Sequence, residues 1–141
     1  MALSRDAREE FLAEPHIGAL SVEAGPGRAP LTVPIWYQYT PGGDLWILTG
    51  SGSRKAELIR AAKRFTLMAD RVDPTIRYVS VEGPVVDERR ATLEQLTEMS
   101  ARYLPAGRVA SYVDSVWKED DAPAIITMRP ERWLTADLGS V

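Results

Sequence analysis

Along most of this chain, hydrophobic and polar positions alternate with period two, and in four stretches the period lengthens toward that of a helix. Ser4 precedes the first of these, in which Ala7, Phe11 and Leu12 share a face and Pro15 forces a stop. Ile17 to Glu23 alternates as a strand, and Gly25-Pro26-Gly27 turns the chain. Leu31 to Tyr39 is a long β-rich run interrupted by Pro34, which cannot donate to a ladder, so this strand is expected at an edge or with a bulge. Pro41 to Asp44 reads as a hairpin turn and Leu45 to Thr49 as the next strand. Lys55 to Arg64 carries Leu58, Ile59 and Ala62 at helical spacing. Phe65 to Ala69 and Ile76 to Asp87 return to alternation, with a bend or bulge expected at Gly83-Pro84. Glu88 to Leu104 is expected to be helical, with a stripe of Leu93, Leu96, Ser100 and Tyr103, and Val109, Tyr112, Val113 and Val116 form a second stripe. Ala124 to Met128 is the last strand, followed by Arg129-Pro130 and Trp133-Leu134.

Strands dominate, helices are short, and no regular βα alternation or internal repeat occurs. The pattern predicts a mainly β (α+β) fold, an antiparallel barrel of about six strands with helices at its periphery. At 141 residues the chain is expected to form one domain, 1–141. Such a chain leaves little room for a deep cleft of its own, which anticipates a site completed by a second subunit.

Composition narrows the chemistry. There is no cysteine, which excludes thiolate metal sites, iron–sulfur clusters and cysteine nucleophiles. The net charge of −3 and the lack of long basic runs argue against nucleic-acid binding. No apolar run reaches the length of a membrane span, and the charged first residues do not read as a signal peptide. A cytoplasmic protein is expected. His16 is the sole histidine and sits beside Pro15, a place for a capping or surface residue. One histidine builds no Ser-His-acid triad, and no ligand cluster points to a metal. Catalytic side chains are therefore unassigned, and a bound cofactor is the expected source of any difficult step.

The chemically richest segment is Thr49-Gly50-Ser51-Gly52-Ser53-Arg54-Lys55, where a strand would feed a helix. A helix N-terminus presents unpaired N–H groups and partial positive charge, and Arg54 and Lys55 add two cations, so the segment suits a phosphate. Its spacing fits neither a Walker A loop nor a dinucleotide fingerprint. A plain helix cap with two exposed cations is the alternative. Trp36 faces away from Tyr37 and Tyr39 by strand periodicity, as either a core residue or the wall of a site.

Four segments in order, Pro30 to Tyr37, Asp44 to Thr49, Ser53 to Leu58 and Arg77 to Gly83, resemble the pyridoxamine 5'-phosphate oxidase-like, FMN-binding split β-barrel family. The ending of the chain is similar to the flavin/deazaflavin, F420-dependent oxidoreductase branch. The resemblance implies a six-stranded antiparallel split barrel, a homodimer, and a cofactor, FMN or coenzyme F420, shared at the subunit interface. It implies that Arg54 and Lys55 bind the cofactor phosphate with Ser51 and Ser53 adding hydroxyls. Val33, Pro34, Ile35 and Trp36 would run along the ring edge, and Leu48 and Thr49 beneath the ring. Tyr78 would reach in from the other subunit, as Trp133 would by position. The classical oxidase carries Gln at the position of Tyr78 and a C-terminal Trp and Arg motif absent here, which weakens that substrate assignment. The implied activity is hydride transfer between the cofactor and a small conjugated substrate, with a proton from solvent or Tyr37. A non-catalytic carrier of the same cofactor is the alternative. For F420, the acidic tail would call on Arg60, Lys63 or Arg64.

Overall fold

The structure, a computed structural model, describes residues 1–139. The chain runs α1 (Arg5–Ala13), β1 (Gly18–Val22), β2 (Leu31–Ile35), β3 (Tyr37–Tyr39), β4 (Leu45–Thr49) and α2 (Arg54–Ala62). It continues with β5 (Arg64–Arg71), β6 (Ile76–Arg90), α3 (Leu93–Tyr103), α4 (Ala106–Val116), β7 (Ala124–Met128) and β8 (Arg132–Gly139). The mainly β, α+β class is as expected, but the described residues form eight strands, not six.

Two events account for the difference. The run from Leu31 to Tyr39 breaks at Trp36, two residues past Pro34, and β2 is indeed an edge strand. The C-terminal segment, unremarkable in its periodicity, becomes β8 because it zips onto β6, with Trp133 opposite Val81 and Ala136 opposite Tyr78. A further correction concerns Glu88 to Arg90. These residues extend β6 instead of opening a helix, because Glu88, Arg89 and Arg90 pair with Ile126, Ile125 and Ala124 of β7. The helix waits for Thr92, whose side chain accepts from Gln95 N–H while Gln95 reciprocates at the cap.

All pairings are antiparallel, in the order β2-β1-β5-β6-β7-β4-β3 with β8 added to β6. The first and last members of this path, β2 and β3, are consecutive in sequence and joined through Trp36. The sheet therefore curls until its two edges meet at one residue, a half-barrel. Strand β6 makes the turn possible: its first half lies between β5 and β8, and beyond a bulge between Val85 and Asp87 its second half belongs to β7. At this corner Gly83 is required by close approach, since a Cβ there would lie 1.8 Å from the carbonyl oxygen of Arg129.

Alternate residues fill the interior: Leu20 and Val22, Tyr37 and Tyr39, Leu45 and Ile47, Leu67 and Ala69, Val79 and Val81, Ile126 and Met128. Phe11 and Leu12 of α1 and Ala56, Leu58 and Ile59 of α2 complete the same core. Each of the larger apolar side chains contributes about 1.5–3 kcal/mol by leaving water. Among the described residues, no helix is long and apolar enough to cross a membrane.

Candidate functional site

The site is built where β4 passes into α2. Burial alternates along β4, so Thr49 turns inward and Leu48 outward. Gly50 to Ser53 forms a turn closed by the Ser53 N–H on the Gly50 carbonyl at 3.0 Å. The Ser53 hydroxyl accepts from Ala56 N–H at 3.2 Å, making it the N-cap of α2, and lies 2.9 Å from the Thr49 hydroxyl. Ser53 is thus committed to holding the turn. Arg54 and Lys55 follow as the first two helical residues, and no carboxylate pairs with either among the described residues. Placing cations at the positive end of a helix costs roughly 0.3–1 kcal/mol in stability unless an anion comes to them.

Two of the neighbouring cations, Arg60 and Arg64, are engaged. Arg60 donates to Glu88 at 2.7 Å and to the Ser51 carbonyl at 2.7 Å, bracing the turn from below. Arg64 pairs with Glu131 at 3.2 Å. Ser51 is exposed and borders a charged cleft with Glu88, Arg90 and Asp121.

Trp36 supplies the second part. Ile35, Tyr37 and Tyr39 point into the core, so Trp36 projects outward at the seam of the half-barrel. Its ring stacks on Tyr103 of α3, with centroids 4.9 Å apart and planes 12° from parallel, and lies 5.6 Å from the ring of Tyr112 of α4. The Tyr103 hydroxyl accepts from Tyr37 N–H at 3.1 Å and donates to the His16 carbonyl at 2.7 Å. Arg102 donates to the Ala13 and Glu14 carbonyls at 2.7 Å each. These polar ties clamp the α3–α4 hairpin to the end of α1 and to β3.

Between the hairpin and β4 lies a cavity of about 270 Å³. Trp36, Leu48 and Thr49 form its barrel side, and Leu96, Met99 and Tyr112 its helix side. No charged side chain lines it among the described residues. Gly50, which begins the turn that leads to Arg54 and Lys55, is part of its lining. The geometry sets an uncharged, aromatic-walled chamber near a helix start that carries two cations, an arrangement compatible with a planar group carrying a phosphate.

Of the residues singled out from the sequence, Trp36, Leu48 and Thr49 meet at the cavity, while Ser53, Arg54 and Lys55 follow Thr49 by a few residues at the start of α2 without lining it. Val33 packs partly against the core, Pro34 is exposed, and the Ile35 side chain is buried, so these three offer main chain at most. As part of an edge strand, β2 leaves half of its main-chain groups without a strand partner. Tyr78 lies on the outer face of β6, opposite Asp70 and Ala136, and does not reach the cavity within the chain. Trp133 is also elsewhere: its ring packs edge-on to Tyr39 at 6.1 Å, beneath the Arg8 guanidinium at 4.5 Å.

Two further sequence expectations resolve clearly. Tyr37 is no proton source for this chamber: it is fully buried, its hydroxyl donates to the Leu12 carbonyl at 2.6 Å, and burial pushes its pKa well above the usual phenol range. His16 is a capping residue, with Nε2 donating to the Phe11 carbonyl at 3.0 Å and the ring stacked on Phe11. The helix-side wall escaped the sequence reading. Leu96, Met99 and Tyr112 belong to ordinary amphipathic stripes, and only the fold shows that this stripe faces a chamber. The one available signal was Tyr112, a hydroxyl set in the otherwise apolar stripe of α4.

The sequence profile of the pyridoxamine 5'-phosphate oxidase family matches residues 4–133. No curated protein sequence matches the chain. Among solved structures, one described as an F420 reductase superposes with a TM-score of 0.69 at 22% identity, covering 89% of this chain and 94% of that one. A conserved hypothetical protein from Mycobacterium tuberculosis gives 0.72 at 22% identity, over 97% of this chain and 86% of its own. An FAD-binding protein from Mesorhizobium loti gives 0.68 at 20% identity, over 100% and 97%. At these identities the likeness is one of fold, and the profile match carries the assignment: the chain belongs to the pyridoxamine 5'-phosphate oxidase family.

Proposed function

We propose that this chain binds FMN or coenzyme F420 and acts as an oxidoreductase on a small conjugated substrate. The observation that carries this reading is the nearness of two cations unpaired among the described residues, Arg54 and Lys55, to an uncharged aromatic chamber lined in part by Gly50. The phosphate would rest on the first N–H groups of α2 and on the two cations, and the ring would pass Thr49 and Leu48 toward Trp36. Bound there, the cofactor would supply the hydride. The chain's own residues position the ring, keep water from one side of it and leave its charge balanced at the α2 end. Similar structures described as an F420 reductase and an FAD-binding protein support the class of ligand. Oxidation of pyridoxamine phosphate itself is disfavoured, because the chamber has no cation for a substrate phosphate.

The working unit in this reading is a homodimer. On the outer face of β6 and β8, Leu134 is 66% exposed and Tyr78 stands near it, opposite Ala136. Pairing of two such faces would bury apolar surface and offer Tyr78 to the partner's site.

Titration of the purified protein with FMN and with F420, followed by absorbance and fluorescence, tests the proposal. Binding of one of them at micromolar concentration or below is expected. Failure of both to bind refutes it. Reduction of a conjugated acceptor by the loaded protein separates an enzyme from a carrier.

A further inference from the structure

At the opposite end of β3, β4 and β7 from the chamber lies a second cleft, of about 380 Å³, bounded by α1, the β3–β4 turn and the β7–β8 turn. The two cavities share no lining residue, and the five residues of β4 set their ends roughly 16 Å apart. Three arginines and three carboxylates line the second cleft. Arg5 pairs with Glu9 at 3.2 Å, and Glu131 pairs with Arg64 at 3.2 Å. Among the described residues, Arg8, Arg129 and Asp44 have no ion-pair partner. Two positive charges thus stand against one negative, and the cleft is one anion short of neutrality. Arg8 is held by packing: its guanidinium lies over the Trp133 ring at 4.5 Å, and that ring is fixed edge-on to Tyr39 at 6.1 Å. Its Nε is buried with no acceptor, and its two terminal nitrogens, which are not buried, also have none among the described residues. A guanidinium oriented in advance and free of acceptors matches a planar oxyanion that bonds two N–H groups at once.

We propose that this cleft is a second ligand site, specific for a small monocarboxylate whose carbon body lies against Pro130 and Trp133. The proposal is independent of the cofactor reading. The carboxylate meets the terminal nitrogens of Arg8, and Arg129, exposed on the β7–β8 turn, supplies the second cation. The Tyr39 hydroxyl accepts from Gly42 N–H at 3.4 Å and keeps its own proton to donate. The surplus of one positive charge selects a monoanion. A dianion such as a phosphate ester would bring a second negative charge toward Glu9, Asp44 and Glu131, which line the same cleft. A neutral ligand would leave the Arg8 guanidinium without an acceptor, as it is in the empty protein. Trp133 and Pro130 give the ligand's carbon atoms an apolar surface, and Tyr39 and Trp133 join that surface to the barrel core.

The test is isothermal titration of the full chain with benzoate at low ionic strength, where a Kd of about 1 mM or tighter is expected. Benzamide, its neutral isostere, should bind at least about tenfold more weakly. Phenyl phosphate, a dianion at about pH 8, should also bind at least about tenfold more weakly than benzoate. Arg8→Met keeps an unbranched side chain over Trp133 and removes the charge, and should raise the benzoate Kd by about 10- to 100-fold. Arg129→Gln should raise it about tenfold. Arg129 is exposed and its side chain bonds nothing among the described residues, so this variant keeps the fold whatever Arg8→Met does to α1. Absence of benzoate binding up to about 10 mM, or a benzoate Kd unchanged in both variants, would overturn the site. Equal affinity for benzoate and benzamide would overturn recognition of charge. Phenyl phosphate binding as tightly as benzoate would overturn the monocarboxylate assignment.

Discussion

Replacing Lys55 by Ala separates a phosphate anchor from a decorated helix cap. Lys55 and Arg54 make no ion pair among the described residues, and both sit where the helix dipole disfavours positive charge. Their removal therefore breaks nothing in the scaffold. A helix starting with Ala in place of Lys should be as stable or more stable, by up to roughly 1 kcal/mol. Binding should respond in the opposite direction. A charge-assisted hydrogen bond to phosphate contributes about 1.5–3 kcal/mol, which corresponds to a roughly 10- to 150-fold rise in Kd for each residue lost. The double variant with Arg54→Ala should lose less than the product of the two, since neighbouring cations on one phosphate share its charge. Affinity should also fall with added salt in the wild type and much less in the double variant. The assay is a fluorescence titration of the cofactor at two ionic strengths, paired with thermal unfolding of the unliganded proteins. A Kd within a factor of three of wild type, or a marked fall in stability, would show that Arg54 and Lys55 serve the fold and not a ligand.

Other predictions test the scaffold. Gly83→Ala should destabilise the protein by at least about 3 kcal/mol in chemical denaturation, because a Cβ at that corner would meet the Arg129 carbonyl and β6 cannot bend without that approach. Tyr37→Phe should cost about 1–3 kcal/mol of stability by removing the short buried hydrogen bond to the Leu12 carbonyl, with no effect on cofactor-linked turnover. Asp137 accepts from Gly139 N–H, Arg77 and Thr75, and these contacts lower its pKa from 3.8 to about 2. Its folded pKa lies below its unfolded one, so its stabilising effect is present above about pH 4 and is lost as pH falls toward 2. Asp137→Asn should flatten that limb of the stability curve between pH 4 and 2, which acid titrations followed by circular dichroism would detect.

Local signals in the sequence specified the elements that depend on neighbours a few residues away. Ser4 and Ser53 mark helix starts because an N-cap is a contact within one turn, and the alternation of β1, β4 and β7 follows from having one buried face. The cations at 54 and 55 were legible for the same reason, since their placement at a helix start is a local fact. Contacts between distant segments decided the rest. Whether Glu88 to Arg90 is strand or helix depends on β7, nearly forty residues later, and β8 exists as a strand because β6 offers it an edge. Trp36 reads equally well as core or wall until the sheet closes on itself at that residue and turns it outward onto α3 and α4. Tyr112 shows the limit most plainly. Helical periodicity assigns it a face, but periodicity cannot say whether that face meets a packed core, open water or a chamber. That depends on where the clamp of Tyr103 and Arg102 sets the hairpin against the barrel, and only the folded chain fixes it.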